Sequence, residues 1–100
     1  MSFLEQALKY AQENKDRHLA EYRELVGMAS ISTLPEHKAD VERTAQWLAD
    51  QLRNLRMENV AVMPTDCHPV VYGEWLKAPG KPTVLVYGHY DVQPVEPLEK

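Results

Sequence analysis

His89 and Asp91 stand two residues apart in "TVLVYGHYDVQPVEP", Thr83 to Pro97, and no other pair in the chain is so plainly placed for chemistry. Residues two apart in extended chain project to one side, so the Asp91 carboxylate can approach the His89 ring if the backbone stays extended through Tyr90. Three arrangements fit this spacing: a metal-ligand histidine oriented by a carboxylate, a general-base pair, and an accidental polar pair at a strand end. A bare H-x-D is a weak signal, since average composition produces one in roughly a tenth of chains this long. Its setting adds weight. The apolar run Val84 to Tyr87 leads straight into the pair, and "VQPVEP" keeps the chain non-helical beyond it. The metal arrangement has the better physical case: a ligating histidine must be neutral and correctly turned, and donating its second N–H to a carboxylate secures both. Nucleophilic catalysis would need a serine or cysteine near this strand end, and residues 83 to 100 contain neither.

The other ligand-type residues read more plainly. Cys67 and His68 are neighbours, but a structural zinc site needs several ligands at recurring spacings and there is no second cysteine. His18 flanks a helical stripe with Tyr22 rather than a ligand four residues on, and His37 belongs to a solvated helix start near Glu36 and Asp40.

The elements that must position the pair follow from periodicity. Ser2 and Glu5 form a capping box, and Leu4, Leu8, Ala11, Leu19, Tyr22, Leu25 and Val26 recur at helical intervals, which predicts one amphipathic helix running to about Val26 and weakened at Gly27. "MASISTLPEHKAD" breaks that period and reads as a loop, with Pro35 in the first turn of the next helix. The stripe Val41, Ala45, Leu48, Leu52 and Leu55 defines that second helix. Three short β-rich runs follow: Val60 to Pro64, Val70 to Leu76 and Thr83 to His89. Pro79-Gly80 suits the centre of a type II turn, so the second and third runs are expected to pair as an antiparallel hairpin. Val84, Leu85, Val86 and Tyr87 are apolar on both faces, as in a central strand covered on both sides. Such a strand presents its carboxyl end to a ligand crevice, where Gly88, His89 and Asp91 lie. The fold class is α/β: two helices followed by a hairpin and a buried central strand.

Composition narrows the function further. One hundred residues with 44% apolar content suit one modest domain, residues 1–100. Fifteen acidic residues against eleven basic ones, the latter scattered, argue against nucleic acid or an anionic membrane as partner. The N-terminus has no basic segment leading an apolar one, no run is long enough to span a bilayer, and a single cysteine suits a reducing compartment. A soluble, cytoplasmic protein is expected.

"VLVYGHYDVQPVEP" closely resembles the histidine-motif segment of the dinuclear zinc peptidases of metallopeptidase family twenty, and the tyrosine of "GHYDVQP" is most similar to the dipeptidase and carnosinase-like branch. "ELVGMASISTLPEHKADVERTAQWLADQL" is similar to that family's opening helix, Ser-rich loop and second helix, and "PVVYGEW" with its Pro-Gly turn to an early hairpin. The resemblance implies that His89 is one terminal ligand of a two-metal site and that Asp91 is the catalytic-site carboxylate that clamps its ring. It implies two divalent ions, zinc with manganese or cobalt as alternatives, which activate a water for amide hydrolysis while a glutamate serves as general base. It also implies a peptide or N-acyl amino acid substrate, with an amidase of the same architecture as the rival to a dipeptidase, and a homodimer as the intact enzyme. The bridging aspartate, paired glutamates and second histidine of that family match nothing in this chain, so it is expected to be the N-terminal part of a longer catalytic domain. A non-catalytic interaction module is the reading from another class.

Overall fold

A computed structural model describes residues 2–95. Helix α1 spans Phe3–Glu13 and α2 spans Lys15–Val26; a 3-10 turn at Pro35–His37 leads into α3, Lys38–Asn54, and strands β1, Glu58–Met63, and β2, Val70–Glu74, complete the order. The chain is mixed α/β, as its pattern implies.

The Ser2–Glu5 capping box forms in both directions: the Glu5 amide donates to Ser2 Oγ at 3.1 Å and the Ser2 amide to Glu5 Oε2 at 3.3 Å. The expected single helix is instead two. Asn14 leaves helical geometry at φ −106° and ψ 12° and caps one helix while opening the next, its amide nitrogen donating to the Tyr10 carbonyl at 2.9 Å. Asparagine's short amide competes for backbone groups in this way, which is why it favours helix ends. Gly27 closes α2 as expected. Neither helix buries a residue.

The core lies where α3 crosses the hairpin. Its buried apolar residues are Val41, Ala45 and Ala49, with Thr44 and Ser30 buried beside them. The expected stripe holds at Val41 and Ala45, whereas Leu55 is exposed and Thr44 and Ala49 replace it. Small residues four apart let the helix approach closely, and Thr44 satisfies its hydroxyl on the Asp40 carbonyl at 2.8 Å. On the strand side, a Cβ added at Gly73 would stand 3.0 Å from Leu52 Cδ1, so glycine at this position permits the approach. α3 ends with Arg56 at φ 63°, the Met57 amide reaching back to the Leu52 carbonyl at 3.1 Å and so closing the last turn without the usual glycine.

β1 and β2 pair antiparallel, Ala61 opposite Tyr72 and Val62 opposite Val71. The hairpin therefore joins the first and second β-rich runs rather than the second and third. Pro79-Gly80 does turn the chain: Gly80 has φ 76° and the Lys81 amide donates to the Ala78 carbonyl at 3.1 Å, the pattern of a type II turn. The third run, Thr83 to His89, forms no ladder among the described residues, and Val84, Leu85, Val86 and Tyr87 are 80–89% exposed. This corrects the buried central strand. A strand apolar on both faces needs neighbours and two covering layers, and the described residues supply one helix on a two-stranded sheet.

Candidate functional site

The segment carrying the sequence motif returns to the Ser-rich loop before α3. Ile31 and Val92 form a parallel bridge, and the Val92 amide donates to the Ser30 carbonyl at 2.9 Å. The buried Ser30 hydroxyl donates to the Tyr90 carbonyl at 2.8 Å, and the Tyr90 hydroxyl donates to the Pro69 carbonyl at 2.6 Å. Burial, and after it the negative charge of Asp91, raises the Tyr90 phenol above its ordinary value, which favours its role as donor. Three hydrogen bonds thus anchor residues 90–92 directly after an exposed stretch.

His89 and Asp91 come together as their spacing implies. His89 Nδ1 lies 2.9 Å from Asp91 Oδ1, and the other carboxylate oxygen, Oδ2, accepts from Ser32 Oγ at 2.6 Å. Since an ionised carboxylate only accepts, His89 donates through Nδ1 and leaves Nε2 as its free nitrogen, on a side chain that is 78% exposed. The Asp91 carboxyl is held below the usual carboxylate range first by the Ser32 hydroxyl; desolvation opposes this, and the hydrogen bond and charge of His89 reinforce it. A carboxylate lowered in the fold stabilises the anchored state fully above the ordinary carboxylate value near 4, and that contribution disappears as pH falls through the lowered folded value. Amide exchange at Val92 is therefore expected to show constant protection from neutral pH down to about 4 and a loss below it. Ser32→Ala should lower the protection at neutral pH and flatten its acid loss, because the folded value then rises toward the ordinary one; an unchanged profile would contradict the link.

The remaining ligand-type residues stand apart from this pair. Cys67 is an exposed free thiol, and His68 turns inward instead, its Nε2 2.8 Å from the Ser32 carbonyl and its buried Nδ1 without a partner. His37 Nδ1 pairs with Asp40 Oδ2 at 2.7 Å, and Arg43 pairs with the other oxygen of the same carboxylate. The His18 ring lies 6.0 Å from Tyr10. Among the described residues no three His, Cys, Asp or Glu side chains gather as a metal cluster. His89 fits a metal as one donor with its orienting carboxylate in place; among the described residues the rest of a donor set does not stand beside it.

Sequence reasoning missed Ser30, Ser32 and His68 as the supports of this pair. "SIST" signals a loop of small hydroxyl residues, but contacts spanning 59 and 60 positions leave no local spacing to read.

No family model matches the chain, and no solved structure matches it. Curated proteins do. It is 30% identical to a cysteinylglycine-S-conjugate dipeptidase of Corynebacterium striatum over 83% of this chain and 18% of that protein. It is also 30% identical to a Cys-Gly metallodipeptidase of Candida albicans, over 83% of this chain and 20% of the relative. A β-Ala-His dipeptidase of Rattus norvegicus is 30% identical over 93% of this chain and 21% of its own length. The chain thus spans about a fifth of the length of these curated relatives. By motif and by overall similarity it is a relative of the dipeptidases of metallopeptidase family twenty.

Proposed function

We propose that this chain contributes one histidine ligand, His89, and its orienting carboxylate, Asp91, to a metal-dependent dipeptidase. The observation that carries this reading is the pairing of His89 Nδ1 with Asp91, which leaves Nε2 free on an exposed ring. A carboxylate on the far nitrogen holds the neutral ring in the tautomer a metal requires and raises its basicity. When bound, a pair of divalent ions, zinc in the first instance, would activate water and polarise the scissile amide. Within this chain, Asp91 holds the proton on Nδ1 and Ser32 holds Asp91.

The relatives' names favour dipeptides over N-acyl amino acids as substrate class. The acidic balance, with scattered basic residues, supports a small peptide rather than nucleic acid as partner. A free exposed cysteine suits a reducing cytoplasmic setting, and no helix among the described residues is long and apolar enough to cross a membrane. A homodimer is proposed for the complete enzyme on the family resemblance alone.

These hundred residues by themselves should not hydrolyse a dipeptide, because a hydrolytic zinc ion normally takes three protein ligands and the described residues offer His89 singly. Two measurements test the reading. Zinc titrated into the chain should perturb the His89 ring resonances weakly and shift the Gly88 and Tyr90 amides with them, amides that should stay still in His89→Ala; a His89 ring indifferent to zinc removes its ligand role. Cleavage of Cys-Gly or β-Ala-His with added zinc or manganese should not exceed that of the His89→Ala control, and turnover above the control would show a complete site in these residues.

A further inference from the structure

We propose that Ser32 is a positioning residue for His89: its hydroxyl holds one oxygen of Asp91 so that the other meets Nδ1 of the ring, and His68 holds the Ser32 carbonyl. The proposal concerns the ligand role given above to His89 and rests on that role for its purpose, while its geometry stands independently.

The stretch Val84 to Tyr87 is 80–89% exposed and forms no ladder, so the chain ahead of His89 does little to orient its ring. Orientation must come from beyond it. A lone His–Asp contact two residues apart leaves the carboxylate free to rotate and to trade one oxygen for the other. Here that freedom is removed, because Ser32 Oγ donates to Oδ2 at 2.6 Å while His89 Nδ1 occupies Oδ1 at 2.9 Å. Hydrogen bonds to an ionised acceptor are among the strong ones, and a carboxylate engaged on both oxygens keeps one rotamer.

Ser32 is itself held. Its carbonyl accepts from His68 Nε2 at 2.8 Å, and two residues earlier Ser30 ties the Tyr90 carbonyl and the Val92 amide. A carbonyl can only accept, so His68 places a proton on Nε2, and its other nitrogen is buried with no partner. His68 reaches the Ser-rich loop across 36 positions and Ser32 reaches Asp91 across 59. The result is a continuous relay of contacts from the hairpin loop, through the Ser-rich loop, to the exposed His89 ring.

The test reads the tautomer of His89 from its ring nitrogen-15 shifts in the full chain at one neutral pH, with no metal present. The unsubstituted chain should show the Nδ1–H form in excess. Ser32→Ala should lower the ratio of Nδ1–H to Nε2–H forms about threefold to tenfold, while Ser32→Thr, which keeps a hydroxyl, should retain it. The amide fingerprint of each variant checks the fold, which a merely structural change would alter while the tautomer ratio reports orientation. An unchanged ratio in Ser32→Ala overturns the proposal, as does a Ser32→Thr chain that loses the Nδ1–H excess; the latter decides the matter if the alanine variant does not fold. Because the readout needs no zinc, failure of the ligand role in the titration above leaves it standing, and its own failure leaves that role untouched.

Discussion

A chain carrying Ala45→Asp is expected to lose its cooperative thermal melt. Ala45 is fully buried at the centre of the α3 face, with Val41 and Ala49 a turn away on either side, and these are the buried apolar residues of the described chain. A carboxylate placed there meets the hairpin rather than water. No cation is buried among the described residues, so an unpaired charge, or the cost of neutralising it, weighs against folding by several kcal/mol. Ordinary domains hold only about 5–15 kcal/mol in reserve. This chain is extended, with a Cα radius of gyration of 16.6 Å against roughly 13 Å for a compact domain of its length, and Val41, Ala45 and Ala49 are the buried apolar residues that a charge would disrupt. Ala45→Ser provides the contrast, since a serine hydroxyl can bond back along the helix as Thr44 does to Asp40, at a cost near 1 kcal/mol. Calorimetry or circular dichroism on the two variants decides it. A cooperative melt surviving in the aspartate chain would show that the α3–hairpin contact is not the core.

Local grammar carried the reading of the elements as far as local physics reaches. The capping box, the Pro79-Gly80 turn, the helical face of Val41 and Ala45, and the first two β-rich runs as strands all appear, because each rests on residues a few positions apart, whereas the expected pairing of the second run with the third does not. The break at Asn14 was not legible from the apolar stripe, which continues through it; the signal was the amide of Asn14 itself. The third strand failed for the opposite reason. Its apolar run is correctly strand-like, but a ladder needs a partner, and none stands beside it among the described residues. At the site, the His89–Asp91 contact was legible from extended-chain geometry, whereas Ser32 and His68 were not, since they approach the pair from tens of positions away. The pair could be read, but its supports could be found only in three dimensions.

That unpartnered run has an energetic consequence of its own. Val84 to Tyr87 presents four consecutive apolar side chains to water, with Trp75 and Leu76 also exposed just upstream of the turn. An exposed, strand-forming, uncharged segment is a template for pairing with another copy. The chain is therefore expected to associate as its concentration rises, with its mass by light scattering increasing accordingly. Val84→Lys combined with Val86→Lys removes two apolar side chains worth about 1.5 kcal/mol each when buried. Association should weaken about a hundredfold, with the melt little changed because both side chains are already largely exposed. A second apolar surface, Phe3, Leu4 and Leu8 on α1, supplies the competing explanation. Leu4→Lys with Leu8→Lys should leave association nearly intact if the run at 84–87 is responsible. A monodisperse monomer across the concentration range, or dispersal by the α1 substitutions alone, would remove that segment as the contact.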